Sequence, residues 1–429
     1  MIVAFLRRAA LTAGVFTLAL AFPGARAAAQ SSEPAFDIGL AVDVDSVTVE
    51  PLGELALAWR APDGNERTLS IREPLRIRLS GAQLIVEGAG RPRAVPLAIL
   101  EVPDTLWLGS AGDEAGNGAR FLWNGRHWRG RFKVFPSPRR KLTLATRLSL
   151  ENYLLGVVPG EIGALRDSLI EAGRAQAIAA RSYSLFYRGR RGAEGFDLYA
   201  TVEDQVYGPV ESERPLATRC VETTRGMTAL ADGAPIRANY CSTCGGVSAE
   251  VWEAWPADAR SYLRSGADQG VGQGDHCALS PQYRWREEWT VAEFAANLAR
   301  FGPAQNLALP AAGVGDLQDV RVDSRSRSGR VWRLRVTTTT GEIMIPAYSL
   351  RQVLRRPGNS NGILRSNLFK IAARRDAGGR VTSIVASGAG SGHGVGLCQT
   401  GALAMARGGA KAESILAHYY SGSELRRLY

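Results

Sequence analysis

The chain has 429 residues, 45% of them apolar, and carries a formal charge of +11 from 52 basic and 41 acidic side chains. That length and apolar content suit two or three packed domains and exclude a disordered chain. Lysine stands only at positions 133, 141, 370 and 411, so the basic charge is almost all arginine, spread along the whole chain. Without a clustered basic helix or an aromatic strip among the charges, nucleic acid is not an expected partner. An anionic surface, or a bias in coding composition, accounts for the arginine.

Residues 1–27 read as an export leader: Arg7 and Arg8, the apolar run Ala9 to Phe22, then Ala25-Arg26-Ala27-Ala28-Ala29. The run is shorter than the roughly 20 residues that span a bilayer, so cleavage after Ala27 or Ala29 is expected rather than a retained anchor. Loss of Arg7, Arg8 and Arg26 lowers the charge from +11 to +8 (11 minus 3). No later stretch is apolar for long enough to span a membrane, so the mature product is expected to be soluble, without a membrane span, and exported to the periplasm or the wall side of the envelope.

Residues 31–145 form a β-rich N-terminal region, with apolar residues alternating in runs such as Leu40–Val49 and Leu75–Leu79. Asp63-Gly64 and Asn124-Gly125 are hairpin dipeptides, because tight primed turns need positive φ. From residue 146 to 429 helices enter. Ser149 is placed to cap a helix carrying Leu150, Tyr153, Leu154 and Val157, which Pro159-Gly160 is expected to stop. Glu161 then falls at a bend ahead of a second helix, Leu169 to Arg188, opened by the capping box Ser168-x-x-Glu171. Strands are expected near Val206-Tyr207, Met227–Leu230 and into Tyr240, with a turn at Asp232-Gly233. Residues 288–372 read as a β-rich insertion with one helix, Val291–Phe301, and a hairpin around Ser328-Gly329. Helices return at Ala402–Arg407 and Glu413–Tyr420. Segregated helices and antiparallel strands make the fold class α+β.

Glu161 is the leading acid. Delivering a proton to a leaving oxygen needs one carboxyl with a raised pKa in a partly dry pocket; the competing reading is a glutamate that merely complements a helix N-terminus. Glu203 and Asp204 are the available second carboxylates. The glycines of 388–396 fit neither the dinucleotide spacing nor the Walker A pattern, which rejects a nucleotide site; instead they present His393 at an open edge. Of the five cysteines, Cys241-x-x-Cys244 with His276-Cys277 supplies the donors of a Cys3His zinc site, although adjacent ligands are awkward. A Cys244–Cys277 disulfide suits an oxidising compartment and is the preferred expectation, with zinc as the alternative and no metal otherwise expected. Cys398 with His393 is the one plausible nucleophile pair and lacks an orienting acid. Tyr183, Tyr207, Tyr240, Trp252, Trp255, Trp285 and Tyr419 are aromatics that could stack on sugar rings or simply fill cores.

Glu151-Asn152-Tyr153-Leu154-Leu155-Gly156-Val157-Val158-Pro159-Gly160-Glu161, the helix Arg174–Tyr183, Gln205-Val206-Tyr207-Gly208, Thr243-Cys244-Gly245-Gly246 and Gly390–Ala402 followed by Met405–Gly409 together resemble the stage II sporulation protein D family, whose other branch is the LytB-type amidase enhancers. The resemblance covers about Trp128 to Tyr429. It implies an exported lytic transglycosylase acting on peptidoglycan glycan strands between N-acetylmuramic acid and N-acetylglucosamine, with Glu161 as acid and then base and 1,6-anhydro ends as product. It implies substrate contacts from Arg181, Gln205, Tyr207, Thr243, His393 and Gln399, and no cofactor. The other branch implies instead a non-catalytic glycan-binding module that activates a cell-wall amidase. Two departures stand out. Ile162-Gly163 replaces the family's Met-Pro, and Thr201-Val202-Glu203-Asp204 replaces Cys and His residues of some members, so a metal is not expected there.

Overall fold

The computed structural model describes residues 32–89, 100–110, 119–270 and 274–429. The expected leader lies outside them. Residues 32–429 form one compact unit of α+β architecture. Among the described residues no helix is long and apolar enough to cross a membrane.

The first strand, β1 (Ala35–Val44), pairs antiparallel with β3 (Leu142–Ser149), placing Phe36 opposite Leu148 and Ile38 opposite Thr146. On its other side β3 pairs with β2 (Arg131–Pro136). The free edge of β1 takes Leu198–Tyr199 in parallel. Strands drawn from residues 35 to 199 therefore share one seven-stranded sheet. The alternating residues Phe36, Ile38, Phe132, Val134, Leu144 and Leu148 enter the same core as Tyr153, Leu154, Val157 and Tyr207. The β-rich N-terminal region thus shares its core with the signature helices.

Both expected dipeptides lie in hairpin turns, but only Asn124-Gly125 is a tight two-residue turn; Asp63-Gly64 sits in the longer loop 61–65, where Gly64 alone has positive φ. Asp63-Gly64 joins Leu55–Arg60 to Glu66–Ile71, and Asn124-Gly125 adopts φ of 51° and 67° between Ala119–Trp123 and Arg126–Arg129. Ser328-Gly329 likewise joins Leu317–Arg325 to Val331–Thr338.

The two signature helices differ from expectation at one end each. Ser149 caps α1 (Leu150–Ile162), its Oγ accepting the Asn152 N–H at 3.4 Å. Pro159 does not stop it. A proline in the last turn removes only one backbone bond, and Gly163, with φ of 75°, ends the helix by donating its N–H to the Pro159 carbonyl at 3.2 Å. The second helix, α2 (Ile170–Phe186), follows a 3₁₀ turn at Asp167–Leu169 rather than a capping box. Glu171 instead accepts the Ala412 N–H at 2.9 Å, which ties the start of α2 to the C-terminal helices. The small residues Ala172, Gly173, Ala175, Ala177, Ala179 and Ala180 are all buried, so α2 is a central helix with neighbours close on several sides.

The segment Arg284 to Ala389 builds a second core. Arg284–Thr290 pairs with Val381–Ala389, which pairs with Phe369–Arg375, and Trp289, Phe294, Leu334 and Ile384 are buried together. Beyond it the chain returns to the first core as β5 (Leu397–Cys398), which pairs in parallel with the earlier β4 (Tyr240–Cys241), and then α3 (Gln399–Arg407).

Candidate active site around Glu161

Two glycines of α1 let a second segment lie against the helix. A Cβ on Gly156 would come within 2.6 Å of the Gly208 carbonyl and the Tyr207 ring, and one on Gly160 within 3.1 Å of the Val206 carbonyl. The close approach brings the Val206 N–H to Glu161, whose Oε1 accepts it at 2.7 Å. Glu161 Oε2 faces the Gln399 amide Nε2 at 3.4 Å, from the first residue of α3. The Tyr240 hydroxyl lies near enough to the carboxylate to favour its anion. Tyr240 is itself positioned by Gln205, whose Nε2 donates to the phenol oxygen at 3.0 Å while its Oε1 accepts from Ser184 at 2.8 Å. Glu161 thus joins both signature blocks, although residues 161 and 399 are 238 positions apart.

The electrostatics favour the protonated acid. Burial is the largest influence and raises the Glu161 pKa above its ordinary value of 4.5, against hydrogen bonds from Val206, Gln399 and Tyr240 that favour the anion. Glu161 is half-buried and sits in the last turn of α1, where the helix dipole also disfavours a carboxylate. A glutamate placed merely to complement a helix N-terminus is excluded by that position. Among the second carboxylates, Asp204 is buried and held by Arg190 at 3.0 Å and Arg191 at 3.1 Å. Glu203 is 65% exposed and 3.8 Å from Arg191.

His393 stands in a run of glycines with positive φ at 390, 392, 394 and 396. At Gly394 this is a matter of space as well as of φ, because a Cβ would fall 2.0 Å from Arg330 Nη2. His393 Nδ1 accepts the Val395 N–H at 3.0 Å, and the ring packs on Trp255 at 4.6 Å between centroids. Burial, then the charges of Arg351 and Arg330, pull its pKa down to about 3, so the imidazole is neutral at pH 7. It lines a cavity of about 390 Å³ with Glu203, Trp255, Arg330, Gln352 and Asn367. Four buried atoms of those residues have no protein partner: Arg330 Nε and Nη1, Gln352 Oε1 and Asn367 Oδ1. Two donors and two acceptors are left for a polar ligand. The loop that supplies Glu203 to the cavity also supplies Val206 to Glu161.

The remaining sequence candidates divide. Gln205 acts on Tyr240, and Gln399 touches Glu161. Thr243 exchanges both backbone bonds with Ser391 and places its hydroxyl 2.8 Å from Ser280, locking its turn onto the glycine block. Tyr207 is core, with ring centroids 5.2 Å from Tyr153 and 5.7 Å from Trp128. Arg181 is fully buried and forks onto Glu151, with Nε to Oε1 at 2.8 Å and Nη2 to Oε2 at 2.7 Å. Glu151 lies ten residues before Glu161 on α1, about 15 Å along the helix, so Arg181 faces away from the site. Cys244 and Cys277 are not joined: their sulfurs are 3.7 Å apart, against about 2.05 Å in a disulfide. Among the described residues Cys241 belongs to no donor cluster, and His276 clusters with Asp268 and His418 rather than with Cys244 and Cys277. Sequence reading missed Tyr240 as a partner of the acid and Arg330 and Gln352 as cavity residues. Tyr240 had a signal, since its strand leads directly into Thr243-Cys244-Gly245-Gly246.

Residues 138–230, which hold Glu161, Gln205 and Val206, match the family described as Stage II sporulation protein, and residues 271–396 match a domain of unknown function, DUF8618. The matched domain and these relatives support the kinship with the SpoIID/LytB family that the motifs suggested. It is 25% identical to an uncharacterized protein of Brachyspira hyodysenteriae over 71% of this chain and 74% of that one. It is 26% identical to stage II sporulation protein D of Bacillus subtilis over 65% of this chain and 74% of that one. It is 27% identical to the amidase enhancer of the same organism over 63% of this chain and 40% of that protein.

Proposed function

We propose that this protein is an exported peptidoglycan lytic transglycosylase that cleaves MurNAc–GlcNAc strands with Glu161 as its one acid and base. The observation that carries the reading is Glu161 itself: a half-buried carboxyl with a raised pKa, held by Val206, Gln399 and Tyr240 where the two signature blocks meet. Kinship with proteins named for sporulation and amidase enhancement supports a role at the cell wall.

In this reaction protonated Glu161 gives its proton to the glycosidic oxygen as the C1–O bond breaks. The Val206 N–H and Tyr240 hydroxyl support the carboxylate that remains. That carboxylate takes the proton of the muramic C6 hydroxyl as O6 bonds to C1, giving a 1,6-anhydro end and returning Glu161 to its starting state. No water enters, so no second carboxylate is needed, which agrees with Asp204 being tied up by two arginines. The cavity beside His393 suits the lactyl carboxylate and acetamido group of a muramic residue, with Arg330 facing the acid and Gln352 and Asn367 facing N–H or O–H groups.

Mass spectrometry of defined glycan strands, with and without stem peptides, tests the proposal: anhydro ends are expected from the wild type. Reducing muramic ends would make the protein a hydrolase. Binding without cleavage, with stimulation of an added amidase, would favour the glycan-binding activator that the amidase enhancer's name suggests.

Two further outcomes follow from the geometry. Tyr240→Phe removes a hydrogen bond that lowers the Glu161 pKa, so the alkaline limb of kcat/KM should move to higher pH; an unmoved limb would show that another group titrates. Gln352→Leu should raise KM by about 3–10-fold, the worth of one hydrogen bond, with kcat unchanged. A fall in kcat at constant KM would place Gln352 in the chemistry instead.

A further inference from the structure

The geometry points to a structural zinc site made by Cys244, Cys277, Cys398 and Asp268. One donor atom from each lies within 4.8 Å of all the others, and all four residues are buried. The Cys244 and Cys277 sulfurs are 3.7 Å apart. Two thiolates about 2.3 Å from a tetrahedral zinc sit about 3.8 Å from each other.

The surroundings are those of metal ligands rather than of idle thiols. Asp268 Oδ1 accepts from the Tyr419 hydroxyl at 2.8 Å and lies 3.1 Å from His418 Nε2, which turns Oδ2 toward Cys244 Sγ at 3.0 Å. Such outer partners orient a ligating carboxylate. Cys398 Sγ lies at the N-terminus of α3 and accepts the N–H groups of Cys244 at 3.3 Å and Gly401 at 3.4 Å, which fix the sulfur beside the other donors. Three sulfurs with one carboxylate select zinc over calcium or magnesium, and a closed set of four protein donors makes the site structural rather than catalytic. The ligands come from three segments that are remote in sequence. Cys398 immediately precedes Gln399, whose amide faces Glu161, so the ion would brace one wall of the active site.

The test uses the full chain purified without chelator. Elemental analysis should find one zinc per chain, and the denatured mass should show every cysteine reduced. Cobalt exchanged for zinc should give sulfur-to-cobalt charge transfer and the intense visible bands of a tetrahedral site. Cys277→Ser should lose the metal, whereas Cys241→Ser, outside the donor set, should keep it. His418→Ala, which spares all four ligands, should fold and bind zinc about 10–100-fold more weakly. A folded, metal-free wild type whose melting temperature zinc does not change would overturn the site, as would a Cys244–Cys277 pair lighter by two hydrogens.

Discussion

Replacing Glu161 by glutamine should leave the fold intact and reduce strand cleavage by at least about a hundredfold, because a positioned general acid typically contributes 10²–10⁴. The amide is nearly isosteric, and its carbonyl can still accept the Val206 N–H. Stability should move the other way. The Glu161 pKa is higher folded than its ordinary 4.5, so its stabilising contribution is complete below the ordinary value and is lost as pH rises through the folded one. At neutral pH the wild type therefore carries a cost that glutamine lacks. Thermal unfolding from acid to neutral pH should show the variant matching or exceeding the wild type, with its advantage growing as pH rises. Undiminished release of anhydro ends by this variant would refute the proposed role. A variant destabilised at every pH would mean that the carboxylate serves the fold.

Arg181→Ala should destabilise the protein by about 3–5 kcal/mol, the usual cost of breaking a buried ion pair from one side. Arg181 has 0% and Glu151 6% of its side chain exposed, so water cannot replace the lost partner. Burial pushes the Glu151 pKa up, but the Arg181 hydrogen bonds and charge, with Tyr429 and Gly226, outweigh it and leave it lowered. This contribution is present above the ordinary glutamate value and lost as pH falls through the folded one. Denaturant unfolding should also show the double variant Arg181→Met with Glu151→Leu recovering much of the loss, since no charge is then stranded. An Arg181→Ala protein of unchanged stability that binds glycan poorly would return Arg181 to the substrate role that the resemblance implied.

Local structure was legible wherever neighbours in the chain decide it. Asn124-Gly125 turns because both residues tolerate positive φ, and Ser149 caps α1 because its hydroxyl reaches the N–H three residues on. The readings that differed are those where packing outweighed a local preference. Pro159 is carried inside α1 because only one bond is lost, and Glu171 leaves the capping box for the Ala412 N–H, 241 residues away.

By itself the sequence determined the α+β class and the hairpins and singled out Glu161 as the candidate acid, all of which rest on period, turn chemistry or a contiguous motif. The tertiary structure alone decided what each side chain faces. It set Glu161 against Gln399, turned Arg181 onto Glu151, and gathered Cys398 and Asp268 beside Cys244 and Cys277. Those pairings depend on which faces of distant elements pack together, and burial then sets the pKa of the acid and the cost of leaving any partner unpaired.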